Sequence, residues 1–213
     1  TYFDPLPFWY APFEETRADP GGFPLHAITQ RPMQMYHSWH SHNAWLRQIL
    51  GQNRLFINRA TARALGLDDD DWVYVSSHNG RIEGQIKTMD GVNPDTVWTW
   101  NAIGKRSGAW NLEPDSPEYT KGFLLNHLIG DLLPPQNGAA DGLANADPIT
   151  GQAAWYDLRV RVERAPFAEA GHSAPRFTTL DHPASLRQAP DIVRYGGRFA
   201  GPEGGDSQQA GSR

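Results

Sequence analysis

The chain has 213 residues, a net charge of -5, a pI near 5.9 and no cysteine. An acidic chain without a lysine- or arginine-rich run is not built to neutralise phosphates, so no nucleic-acid partner is expected. The lack of cysteine removes disulfides, thiol catalysis, zinc knuckles and iron–sulfur ligation from this stretch of polypeptide, while 8 Trp, 17 Pro and 21 Gly point to a β-rich, loop-rich domain.

Residues 1–23 carry Phe3, Phe8, Trp9, Tyr10 and Phe13 but are broken by proline and charge. They read as an irregular lead-in, too interrupted for a signal peptide or a transmembrane span, and no direct membrane insertion is expected. Residues 24–29 predict a short strand with Leu25, Ala27 and Thr29 on one face. Trp45, Leu46, Ile49 and Leu50 then fall at helical spacing before Gly51, with Ser41 or Asn43 as the N-cap. Residues 55–57 predict a buried strand, and Asn58 caps a helix over RATARAL that stops at Gly66.

Four aspartates at 68–71 form a turn that lacks the spaced ligands and terminal glutamate of a calcium loop. The clearest hairpin follows, with WVYVSS and RIEGQIKT on either side of a turn at Asn79-Gly80. Ile82, Gly84 and Ile86 share one face of its second strand, and Arg81, Glu83, Gln85 and Lys87 the other. TVWTW at 96–100 predicts another strand, and residues 101–122 form a polar loop long enough to be functional or disordered. FLLNHLIGDLL predicts a short apolar helix in which Asn126, if buried, must find partners. Residues 155–163 alternate strictly and predict a closing strand. From 166 the pattern dissolves, so 24–165 reads as the folded domain and 166–213 as an extended or disordered tail.

Candidate binding groups crowd residues 30–49, QRPMQMYHSWHSHNAWLRQI. The planar fork of Arg31 suits phosphate and carbonyl oxygens. Ser38, Ser41 and Asn43 offer neutral hydrogen bonds, and the helix N-terminus that follows offers free N–H groups. With Gln30, His37, His40 and His42 they suit a large, polar, anionic ligand; the plainer alternative is a salt bridge for Arg31 and a helix cap for Ser41. The histidines do not suggest a metal. On a helix His42 turns roughly 140° from His37 at about 100° per residue, and on a strand only His40 and His42 share a face. Lys105, Arg106, Ser107, Trp110 and Asn111 form a second polar group in the long loop. No Ser-His-Asp order, Walker loop or dinucleotide glycine fingerprint is present, and no catalytic residue is expected.

Three blocks lie in order across residues 24–163. They are ITQRPMQMYHS with NAWLRQI; LFINRATARALGLDDDDWVYVSSHNGRIEGQIKT; and Asn111-Leu112 with GFLLNHLI and ADPITGQAAWYDLRVRV. The series resembles the C-terminal molybdopterin-dinucleotide-binding domain of the dimethyl-sulfoxide-reductase-type molybdenum and tungsten oxidoreductases. Within that family it is most similar to the polysulfide and thiosulfate reductase branch and its sulfite-oxidising relatives. One departure is Asp70, which stands where the family has a glycine before the hairpin; aspartate is among the few residues that tolerate a left-handed backbone.

The resemblance implies a mainly β fold with small helices, a six-stranded double-psi β-barrel. It implies cofactor contacts from Gln30, Arg31, His37, Ser38, His40, Ser41, Asn43, Lys105, Asn111 and Asn126. The cofactor would be molybdopterin guanine dinucleotide, two per full enzyme, with molybdenum or tungsten. The metal's protein ligand and any iron–sulfur cluster would then lie upstream, so this stretch alone is expected to have no turnover. Implied partners are an iron–sulfur electron-transfer subunit and the remaining domains of the same catalytic subunit. The implied location is the cytoplasm or the periplasm of a bacterium, the cytoplasm favoured, with membrane association through partner subunits. The competing expectation is a non-catalytic double-psi barrel that binds a protein and leaves the loops at 30–43 and 101–122 without a small ligand.

Overall fold

The β-forming runs identified above become a closed ring because each of six strands, Thr96–Trp100 among them, pairs with a neighbour on both sides. The structure is a computed structural model, and it describes residues 9, 11–105, 116–133, 144–147, 150–166 and 176–177. All of these fall within one compact unit made of Thr1–Pro134 and Leu143–Leu180. In chain order the strands are β1 Leu25–Gln30, β2 Leu55–Ile57, β3 Trp72–Ser77, β4 Gly80–Thr88, β5 Thr96–Trp100, β6 Arg159–Arg164 and β7 Arg176–Phe177. The helices are α1 Phe13–Arg17, α2 Ala44–Ile49 and α3 Arg59–Ala64.

β5 lies between β1, to which it is parallel, and β2, to which it is antiparallel. β1 continues antiparallel to β6, β6 to β3, and β3 to β4. Parallel pairing of β4 with β2 closes the six-stranded barrel, and β7 adds to β4 outside the ring. The mainly β fold with small helices and the six-stranded barrel are those the resemblance implied.

Alternation supplies the core. Leu25, Ala27, Leu55, Ile57, Val73, Val75, Ile82, Ile86, Val97, Val160 and Val162 point inward and are almost fully buried. At about 25 cal/mol per Å² of apolar surface, this shared interior is the main stabilising term for the barrel. The outer face of the hairpin is less open than its charges suggest. Glu83 and Tyr74 face each other across the strands and are buried, and the Arg81 guanidinium sits 3.8 Å from the Tyr74 ring centroid.

The expected caps form at α2 and α3. Asn43 Oδ1 accepts the Trp45 and Leu46 N–H groups, and Asn58 Oδ1 accepts that of Ala60. Gly66 follows α3 at φ 68°, and Asp70 adopts φ 69°, the left-handed conformation anticipated for it. The aspartate turn is held by ion pairs of Asp69 with Lys87, Asp70 with Arg54 and Asp71 with Arg164.

Three local departures have physical causes. A short helix, α1, forms in the lead-in, with acidic residues in its first turn and Arg17 in its last, matching the helix dipole. Its Glu14 is buried, accepts the Arg159 N–H at 3.0 Å and lies 3.4 Å from His78 Nδ1. FLLNHLIGDLL does not form an α-helix but a single 3₁₀ turn, Leu125–Leu128. The pitch of three residues per turn puts Leu125 and Leu128 on one face toward the core, and leaves Asn126 exposed. In α2 only Leu46, with Leu50 just beyond, packs inward against Met35, Ala102 and Ile103; Trp45 and Ile49 point outward.

Candidate functional site

The parallel pairing of β1 with β5 brings two chain segments to one end of the barrel. Thr29 sits opposite Thr99 and Gln30 opposite Trp100, and the Asn101 N–H donates to the Gln30 carbonyl at 3.0 Å. Beyond this edge lies a cavity of about 590 Å³. Thr29, His37, Ser38, Asn101, Lys105 and Asn126 line it, with Asp131 and Trp155 completing the polar and aromatic wall. Leu124, Leu125, Ile129 and Ala153 supply the apolar remainder.

Of the residues singled out from sequence, the cavity gathers His37, Ser38, Lys105 and Asn126. Gln30, Arg31 and His40 are exposed and are not part of its lining. Ser41 is buried and donates from Oγ to the Ser38 carbonyl at 3.1 Å. Asn43 commits its side-chain oxygen to the helix cap, which also occupies two of the N–H groups expected to face a ligand. Asn111, Arg106, Ser107 and Trp110 lie outside the described residues.

Residues 31–43 form neither strand nor helix but a succession of turns. Met35 N–H bonds the Pro32 carbonyl, Trp39 that of Tyr36, and Asn43 that of His40. Two of the turns place histidines at positive φ, His37 at 54° and His40 at 61°. Arg47 ties the series down: its guanidinium donates to the Ser41 and Gly51 carbonyls and to both carboxylate oxygens of Glu118 at 2.6 and 3.0 Å.

Thr29, Asn101, Asp131 and Trp155 were not among the residues singled out as binding groups. Thr29 was legible only as a strand residue facing inward, and Asn101 only as the first residue of a polar loop. Asp131 and Trp155 come from segments whose proximity to the others depends on barrel closure.

The chain matches the family model described as the molydopterin dinucleotide binding domain over residues 25–142. It belongs to that family. Among its relatives, a sulfite dehydrogenase subunit of Allochromatium vinosum is 52% identical over 180 residues, which is 84% of this chain and 18% of that protein. Dopamine dehydroxylase of Eggerthella lenta is 33% identical over 125 residues, 56% of this chain and 11% of that protein. The chain therefore spans less than a fifth of the length of either. Among solved structures, acetylene hydratase from Pelobacter acetylenicus superposes with a TM-score of 0.54 at 20% identity, covering 76% of this chain and 22% of that one, a likeness of fold.

The molybdopterin-dinucleotide-binding domain has a cavity that fits part of such a group. Two oxygens on its wall, Thr29 Oγ1 and Asn101 Oδ1, are buried and have no hydrogen-bond partner among the described residues. Buried polar atoms left unpaired cost about 1–3 kcal/mol each, so such atoms beside a cavity are a place for an incoming polar group. The lining joins a cation, a carboxylate, two amides and two hydroxyls to leucines and an indole. That donor and acceptor set suits a planar heterocycle rich in N–H and C=O groups, within the size range of small-ligand sites.

Proposed function

We propose that the chain is the cofactor-holding domain of a molybdenum oxidoreductase catalytic subunit. The cofactor is molybdopterin guanine dinucleotide, and the substrate is an inorganic sulfur compound. The observation that carries this reading is the cavity where Thr29, Asn101, Lys105 and Asn126 converge with His37 and Ser38. When bound, the cofactor supplies a metal centre for oxygen-atom and electron transfer. The residues of this domain bind and orient it. Asn126 and Asn101 present amides to heterocycle edges, Thr29 and Ser38 present hydroxyls, and the Lys105 ammonium balances the ligand's negative charge. Gln30, Arg31 and His40, exposed beside the lined cavity, suit the parts of a dinucleotide that extend beyond it. The sulfur substrate is supported by the resemblance to the sulfite-oxidising branch and by the 52% identity to a sulfite dehydrogenase subunit.

The proposed neighbours of residues 31–49 are the remaining domains of the same polypeptide. Met33, Tyr36, Trp39, Trp45 and Ile49 are 63–96% exposed there, an apolar surface beside the cavity that suits burial against protein. An iron–sulfur electron-transfer subunit is the further partner in this reading. Among the described residues no helix is long and apolar enough to cross a membrane. A protein-binding barrel without a small ligand would leave the orphaned oxygens of Thr29 and Asn101 unexplained.

The test is pterin release from the full-length subunit. Oxidative release is expected to yield a guanine dinucleotide pterin, and Asn126→Ala together with Lys105→Ala to lower its content severalfold. Undiminished content in the double variant would sink the proposed site.

A further inference from the structure

Asn53 precedes β2, is 2% exposed, and has no part in lining the cavity. The two hydrogens of its side-chain Nδ2 are shared among three carbonyls, those of Trp100 at 2.8 Å, Ile103 at 3.1 Å and Phe123 at 3.0 Å. Its Oδ1 accepts from Thr99 Oγ1 at 2.8 Å and from the Trp100 N–H at 3.1 Å. Its backbone N–H donates to the Lys121 carbonyl at 2.7 Å. The amide orientation is fixed, because the Trp100 N–H can only donate and so requires the oxygen on that side.

The two halves of this amide do different things. The oxygen bonds only to β5, within the barrel wall. The nitrogen reaches from the end of β5 to two loops, 101–105 and 121–126. The first loop carries Asn101 and Lys105, the second Asn126. Between the loops no side chain fits. A Cβ at Gly104 would come within 2.5–2.7 Å of the Phe123 backbone, and one at Gly122 within 2.7 Å of the Ile103 carbonyl oxygen. The two backbones are therefore in direct contact, and the amide bonds a carbonyl from each.

We propose that Asn53 is the positioning residue of the cavity, joining both loops into one body so that Asn101, Lys105 and Asn126 keep a fixed spacing. The proposal rests on the cofactor reading of the cavity for its functional meaning, but not for its geometry. Removing the amide frees two buried carbonyls on different loops at once, whereas the Thr99 hydroxyl bonds only Asn53 Oδ1 and the Arg54 carbonyl, neither of them on the two loops.

The experiment compares Asn53→Ala with Thr99→Val in the full-length subunit, by amide hydrogen exchange and by released pterin. For Asn53→Ala, exchange in peptides covering 101–105 and 121–128 is expected to rise about tenfold or more. Peptides from β3 and β6 should stay at the wild-type level, and pterin content should fall severalfold. For Thr99→Val, thermal stability drops while loop exchange and pterin content stay unchanged. Should Asn53→Ala not fold, Asn53→Ser, which keeps one donor, carries the same comparison. Wild-type protection of both loops in the Asn53 variant, or equal loosening by Thr99→Val, overturns the proposal. Loosened loops with full pterin content would instead overturn the cofactor reading of the cavity and leave the tether standing.

Discussion

The Phe123 ring occupies the space that a side chain on Gly84 would need. A Cβ there would lie 2.3 Å from both Cδ1 and Cε1 of the ring, and Phe123 is fully buried. Gly84 sits in the middle of β4, facing inward, so the ring enters the barrel through the only kind of residue that leaves it room.

Gly84→Ala is therefore expected to destabilise the domain by about 1–3 kcal/mol through overpacking. Phe123→Ala is expected to cost about 3–5 kcal/mol through the cavity it leaves. Denaturant midpoints at constant slope measure both. If Gly84→Ala unfolded at the wild-type midpoint, the ring would not be seated against that glycine.

Arg47 holds the turn series at 31–43 against the 3₁₀ turn Pro117–Thr120 by its paired bonds to Glu118. The two side chains are only 16% and 15% exposed, so the pair is shielded from most solvent screening. Arg47→Met is predicted to speed proteolysis within 31–51, and Arg47→Lys to restore little. A lysine ammonium cannot make the two parallel bonds to carboxylate and also reach the Ser41 and Gly51 carbonyls. Full rescue by lysine would show that charge alone suffices.

At Asp70 two substitutions separate conformation from charge. Both Asp70→Gly and Asp70→Ala lose the ion pair with Arg54, which matters little because Asp70 is 62% exposed. Only alanine must bear the left-handed cost of about 1–2 kcal/mol. Thermal unfolding should place Asp70→Gly at or above the wild type and Asp70→Ala below it. The reverse order would contradict the positive φ.

Acid should loosen the same turn. The Lys87 ammonium, then the Thr88 amide, hold the Asp69 carboxyl well below the usual carboxylate range. For Asp71, burial pushes upward, but the Asp68 N–H and the Arg164 guanidinium bring it below its ordinary value. A depressed folded pKa means the stabilisation is complete above the unfolded value of about 4 and is lost as pH falls through the lower folded value. Denaturation midpoints followed downward from about pH 5 should therefore fall for the wild type and fall less for Asp69→Asn. Parallel curves would remove Asp69 from the acid response.

Much of the barrel was legible because it depends on local signals. Strict alternation in β4, Asn-Gly at the hairpin, and asparagine caps before α2 and α3 each act within a few residues. Elsewhere packing overrides local preference. The apolar run around Asn126 has helical composition, but Phe123 must reach Gly84 and Leu125 must face the core, which a 3₁₀ turn permits. In the site, His37, Ser38, Lys105 and Asn126 could be singled out by residue type and resemblance. Asn53, Asp131 and Trp155 could not, because their value lies entirely in contacts across long sequence separations.

The cavity wall draws on residues 29, 37–38, 101–105, 124–131 and 153–155, and no contiguous peptide contains it. During synthesis, Thr29 emerges long before Trp155, and β6, which closes the ring beside β1, comes later still. A nascent chain therefore has no partial seat to offer. A bulky prosthetic group can be received only after nearly the whole domain has been made and closed, so barrel closure acts as a checkpoint on its delivery.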